Sequence, residues 1–285
     1  MVALNLVEAS NASIKISLPA GLVAVFVGGT NGVGETTVRQ FIEHAVRPRV
    51  YIFGRSREAG TRIVSECEAL NPEGTYIFAS WDTSRMQNVD AACEYVKERE
   101  TIINLLFLSV GTLGLARGLQ YAAALTTYAR NRFISNLLPM IRRAENLRHV
   151  VTVYSATFEG RLHMEDFQGS NLALMAKQGL VATVTSLALE AHHQAAPEVT
   201  FVHTYPGSVK SGIDRGSIGP LMRTLKTVFI VLTPLVNIPL EEAGDRHVFL
   251  CTSARYAAGP DDKAAGVPLM DRHGLARAPM GMRRV

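Results

Sequence analysis

Three glycines carry the first chemistry in this chain. Gly28, Gly32 and Gly34 break the run VAVFVGGTNGVGETT, in which apolar β-branched residues give way to glycine and then to a helical pattern. A strand that turns tightly on glycine and feeds straight into a helix aims that helix's free N–H groups and positive dipole end at one point, which suits a pyrophosphate. Thr30, Asn31 and Val33 lie within the turn and belong to the same cradle. The stretch from Gly29 to Thr36 also fits the phosphate-loop spacing G-x-x-x-x-G-K-[ST], except that Glu35 takes the lysine position. A carboxylate there repels a triphosphate, so a nucleoside triphosphatase is rejected.

The elements that must hold such a turn alternate along the chain. Strands are expected at 22–27, 49–54, 75–80, 103–110, 149–154 and 199–203, with a last short strand at 266–270. Helices are expected at 34–46, 57–70, 84–99, 171–192 and 240–253, and a long helical region at 113–146 reads as two helices. This alternation predicts an α/β fold: one doubly wound parallel sheet of the Rossmann type with helices on both faces. Residues 1–20 read as a packed N-terminal extension and 21–285 as the domain, with an apolar insertion at about 212–238.

Composition excludes several other classes. The chain has 285 residues, of which 47% are hydrophobic and 19% charged, enough for a substantial core. A net charge of +4 and a pI near 9.0 invite a nucleic-acid reading, but the basic residues are scattered, apart from the tail pair Arg283 and Arg284. No basic stripe with interleaved aromatics appears, so nucleic acid is not expected as a partner. Cys67, Cys93 and Cys251 are odd in number and far apart, and read as free thiols in a reducing compartment, with no metal site. With no secretory leader legible, the expected location is the cytoplasm, and the sequon at Asn11 is idle. The apolar run at 228–240 is interrupted by Pro234 and is shorter than the roughly 20 residues a bilayer crossing needs.

Five segments, in order and over most of the chain, resemble the short-chain dehydrogenase/reductase family. They are the Gly28–Gly34 turn with its G-x-x-x-G-x-G spacing, then Trp81-Asp82-Thr83, Leu108-Ser109-Val110-Gly111, the end of the strand at Ser155, and Pro206-Gly207-Ser208-Val209-Lys210-Ser211. Phrases such as GGTNGVGE, PRVYIFGR and FVHTYPG resemble fungal members, many of which work in natural-product pathways. The resemblance implies a nicotinamide dinucleotide, with Asp82 and Thr83 beside the adenine, Gly111 among the cofactor-binding residues, and Pro206, Gly207 and Val209 near the nicotinamide. The second strand ends on Gly54, Arg55, Ser56 and Arg57, without the carboxylate that would bind free ribose hydroxyls. Arg55, aided by Thr30, Asn31 and Ser56, is instead suited to a 2′-phosphate, so the expected cofactor is NADP(H).

The resemblance fails at the catalytic set. The family uses a serine, a tyrosine with a lysine four residues on, and an asparagine in the preceding long helix. Aligned without a gap through the phrase SLALE, Ser155 takes the serine position and Lys177 the lysine position, where it also serves the cofactor, but Ala173 stands for the tyrosine. Its neighbours Leu172, Leu174 and Met175 restore nothing, and the asparagine position maps to 126–128, where none occurs. Three readings follow. The chain reduces a carbonyl or imine of a lipophilic molecule with a stand-in proton donor, for which Tyr154 and Tyr128 are the candidates, with His163, Glu165 and Asp166 behind them. Alternatively it is a redox-neutral isomerase or cyclase, or a non-catalytic NADP-binding partner. The apolar insertion suits a greasy substrate or the surface of a homo-oligomer.

Overall fold

Strands form where β-branched and aromatic residues run together, and the longest such runs are buried on both faces. The structure, a computed structural model, describes residues 2–111, 119–209, 237–259, 266–270 and 276–277. Six parallel strands form the main sheet: β1 (Val23–Val27), β2 (Arg49–Gly54), β3 (Thr75–Ser80), β4 (Leu105–Leu108), β5 (His149–Val153) and β6 (Thr200–Thr204). Their spatial order is β3-β2-β1-β4-β5-β6. Every residue of β1, β4 and β5 is buried, as expected of strands covered on both sides. The order reverses between β1 and β4, and the crevice at their carboxyl ends is where such sheets place ligands.

Helices cover both faces. α3 (Gly32–His44) and α9 (Leu240–Thr252) pack on one side, over a core that includes Phe26, Phe41, Ile42 and Phe107. α5 (Met86–Lys97) and α7 (Ala129–Arg142) pack on the other, over Phe53, Val89, Phe133 and Leu137. α4 (Arg57–Leu70) lies against β3, and α8 (Leu174–Ala195) against β6. The N-terminal segment forms α1 (Leu4–Ala12) and α2 (Ile14–Ser17) and docks on α9, where the Asn11 amide donates to the Asp245 carbonyl at 3.0 Å. All three cysteines are buried and free, and burial pushes Cys67 and Cys93 up to about 12. Among the described residues no helix is long and apolar enough to cross a membrane.

Several element bounds differ from the sequence expectation, β4 among them, which runs Leu105–Leu108 where 103–110 is expected. The short strand near 266–270 reduces to β9 (Leu269–Met270), which pairs antiparallel with β10 (Ala276–Arg277) outside the main sheet. α8 begins at Leu174 rather than 171, because the Asp166 carboxylate accepts the backbone N–H groups of Ser170 and Asn171 and holds them in a loop. The long helical region is α6 (Leu119–Ala123), a π turn (Ala124–Tyr128) and α7 in succession. The expected insertion at 212–238, with Lys210, Ser211 and the tail arginines, lies outside the described residues except for β8 (Asn237–Ile238), which pairs with β7 (Ser208–Val209).

Candidate functional site

At the carboxyl end of β1 the backbone is the site. Gly28 has φ +94° and Gly32 φ +57°, left-handed conformations that favour glycine. A Cβ on Gly34 would lie 2.3 Å from the Gly28 carbonyl oxygen and 2.4 Å from Ser109 Oγ, and one on Gly28 would lie 2.9 Å from the Val110 nitrogen. The turn therefore closes against β4 with no room for a side chain. Asn31 caps α3 without a side-chain bond to it, and Val33 is buried below. Glu35, in the lysine position of a phosphate loop, turns away to α4, pairing with Arg39 at 2.9 Å and Arg62 at 2.6 Å.

Beyond β2 and β3 the expected adenosine contacts sit side by side. Thr30 packs on Gly54, where an added Cβ would meet Thr30 Oγ1 at 2.6 Å. The Arg55 guanidinium donates to the Tyr121 hydroxyl on α6, a residue with no reason to be singled out in the sequence. Ser56 caps α4 by accepting from the Ala59 N–H at 3.2 Å. Asp82 accepts from the Ser84 hydroxyl and N–H at 2.7 and 3.2 Å, and these bonds, with Arg55 and Arg85 nearby, hold its carboxyl below the usual range despite burial. Thr83 is buried and Gly111 half-buried.

The carboxyl ends of β5 and β6 are built from side chains. Ser155 is buried and its Oγ accepts from the Gln178 amide at 2.9 Å, which leaves the serine proton free for a substrate oxygen. Gln178 was not legible as a site residue, since nothing in its spacing announces a partner across the loop. Lys177 stands one residue earlier, and its Cγ lies 3.3 Å from where a Gly169 Cβ would be. Ala173 is the exposed N-cap of α8, so the Lys177 N–H bonds back to its carbonyl at 2.9 Å and the two positions share one turn.

The other expected donors are scattered. Tyr154 is largely enclosed, with its phenol pushed up by burial and eased down by Arg130, whose guanidinium carbon is 5.7 Å from the ring centre. Tyr128 is 42% exposed and lies in a shallow groove with Ala123, Phe167, Leu180 and Val184, whose lining does not include Ser155. His163 pairs with exposed Glu165 at 3.4 Å, and Asp166 is committed to its loop. Pro206 and Gly207, with φ +77° at the glycine, follow β6; a Cβ there would meet Ile238 Cδ1 at 2.6 Å, and Val209 continues into β7. Phe158 and Tyr205, both exposed, stack edge to face with centroids 4.9 Å apart at this end. No group of acidic, cysteine or histidine side chains fit for a metal occurs among the described residues.

Comparison with known proteins identifies the family and the fold. The family model for short chain dehydrogenases matches residues 22–147. The oxidoreductase AN1596 of Emericella nidulans is 37% identical over 279 residues, covering 94% of this chain and 82% of that protein. A 7α-hydroxysteroid dehydrogenase complexed with NADH and 7-oxo glycochenodeoxycholic acid superposes with a TM-score of 0.65 at 15% identity, covering 85% of this chain and 90% of that one. The short-chain dehydrogenase from Sphingobium yanoikuyae in complex with NADPH gives 0.58 at 15% identity, with coverages of 80% and 84%.

Proposed function

This chain belongs to the short-chain dehydrogenase/reductase family, and from that premise we propose that it is an NADP(H)-dependent oxidoreductase that reduces a carbonyl or imine of a lipophilic intermediate, with Tyr154 as the proton donor. The observation that carries the cofactor is the side-chain-free cradle at Gly28 and Gly34, which fits a pyrophosphate approaching the start of α3. Arg55 at the end of β2 supports the 2′-phosphate form, and the neighbour holding NADPH is consistent with it. Thr30, Asn31, Gly32, Val33, Ser56, Asp82, Thr83, Gly111, Lys177, Pro206, Gly207 and Val209 would complete the holding set. Bound there, the reduced dinucleotide supplies hydride.

The chain's own residues then orient and protonate. Gln178 fixes the Ser155 oxygen, whose O–H polarises the substrate carbonyl. Tyr154, adjoining Ser155 in sequence, gives up the proton that the family draws from the position of Ala173. Exposed Phe158 and Tyr205 offer apolar surface for a lipophilic substrate, in keeping with a role in fungal secondary metabolism. Such a protein works without a membrane span and in the cytoplasm.

Ala173 also favours a second reading, a redox-neutral isomerase or cyclase in which the dinucleotide is structural, because an exposed alanine at the start of α8 donates no proton. The deciding experiment incubates purified protein with lipophilic carbonyl and imine compounds, with and without NADPH, following product by mass spectrometry and cofactor by absorbance. Product formed in step with NADPH loss supports reduction. Product without cofactor loss overturns it in favour of the second reading.

A further inference from the structure

Arg130 stands on the first turn of α7, on the buried stripe it shares with Phe133, Ile134 and Leu137, and is only 3% exposed. Its Nε and Nη2 donate to the Val110 carbonyl at 3.0 and 2.5 Å, and its Nη1 donates to Thr152 Oγ1 at 2.8 Å. A guanidinium has about five N–H donors, so these bonds leave part of its capacity unused. No carboxylate pairs with it among the described residues. Burial pushes it down to about 10, still a cation at neutral pH. Keeping an unpaired cation out of water is costly, and packing alone gives no reason for it, since an apolar side chain of the same volume would fill the space at less cost.

Its surroundings supply a reason. Val110 follows β4 and precedes Gly111, an expected cofactor contact, and Thr152 lies on β5 two residues before Tyr154. The guanidinium therefore ties the carboxyl end of β4, one of the two strands at the crevice, to that of its neighbour β5, and its carbon lies 5.7 Å from the centre of the Tyr154 ring. We propose that Arg130 is a positioning residue of the reaction, holding the ends of β4 and β5 in register and stabilising, through its unpaired charge, the phenolate that Tyr154 becomes on giving up its proton.

The proposal rests on Tyr154 as the donor. In the step, the carbonyl carbon gains hydride from the reduced nicotinamide dinucleotide, the Tyr154 O–H bond breaks, and its proton forms the O–H bond of the product alcohol. The negative charge left on the phenolate lies near the Arg130 guanidinium, whose carbon is 5.7 Å from the ring centre, until solvent restores the proton. α8 carries Lys177 in its first turns, with its Cγ beside Gly169. From β6 comes His203, which burial and Arg130 push down to about 4, so it is neutral at working pH. His203 Nδ1 in turn meets Ser186 on α8 at 2.9 Å, Ser186 donates to the half-exposed Glu159 carboxylate at 2.9 Å, and that carboxylate lies 3.8 Å from the same imidazole nitrogen.

The full-length protein carrying ¹³C-labelled tyrosine tests this without a known substrate. The Tyr154 signal is identified by its loss in Tyr154→Phe, and its ionisation is followed by NMR against pH in wild type, Arg130→Met and Arg130→Gln, with thermal unfolding as the control for folding. Both uncharged variants are expected to delay Tyr154 ionisation by about one pH unit; either suffices if the other fails to fold. Unchanged ionisation in a folded uncharged variant overturns the proposal. A delay seen alongside unimpaired turnover by Tyr154→Phe of any compound reduced in the NADPH assay supports the charge coupling while overturning the donor role, so the two failures are distinguishable.

Discussion

The two ends of the crevice are built by opposite means. Beside β1 the ligand surface is main chain: glycines at 28 and 34 fit so closely against β4 that a single methyl group collides with backbone. Beside β5 it is side chain: Ser155 accepts a hydrogen bond from Gln178 of another element, and Ala173, at the start of that element, is exposed. A backbone site tolerates change elsewhere in the chain because its donors are fixed by the fold. A side-chain site is only as good as its partners, and it can be rewired by a few substitutions while the nucleotide end stays intact. The contrast teaches why cofactor binding and chemistry can diverge in one molecule.

Four changes would break or sharpen that contrast. Gly34→Val, which forces a side chain into the Gly28 carbonyl, is expected to weaken NADPH binding by about 1,000-fold, roughly 4 kcal/mol, in a fluorescence titration. Wild-type affinity in that variant would end the idea of a backbone-built site. Ser155→Ala is expected to leave NADPH affinity within about twofold while lowering kcat by about 100-fold on any compound that is turned over; steady-state kinetics beside the same titration separate the two ends. Arg55→Ala should lose about tenfold for NADPH and nothing for NADH, read as the ratio of the two dissociation constants. An equal loss for both would move the 2′-phosphate contact elsewhere.

The fourth change concerns the frame beneath both ends. His203 and His247 are held down to about 4 by burial, against an ordinary value of 6.5. Between those values the unfolded chain takes up protons that the folded chain refuses, so stability is present above pH 6.5 and falls as pH drops toward 4. Each imidazole contributes on the order of 2 kcal/mol. Thermal unfolding across that window should show a decline that His247→Asn reduces.

The sheet was legible because its strands are near-continuous apolar runs punctuated by glycine and proline, and β2, β3 and α4 fall at the expected residues. The nucleotide turn was legible for the same reason, since glycine spacing is itself a statement about backbone shape. Gln178 and Arg130 were hidden, because their meaning lies in partners 23 and 20 to 22 residues away, which no local pattern reveals. The start of α8 was misjudged because a single carboxylate, Asp166, competes with the helix for two N–H groups.

The π turn at Ala124–Tyr128 has a consequence for how this site could have arisen. A π turn fits one residue more into its loop than an α turn does, so it acts as a phase shifter, rotating everything after it by about a quarter of a circle relative to everything before. Arg130 is the second residue beyond it. Deleting one residue from this turn would restore the regular pitch and change which residue of the helix faces the ends of β4 and β5. In that sense a buried cation beneath the active end can be gained or lost by changing the length of a helix, with no substitution at the position itself.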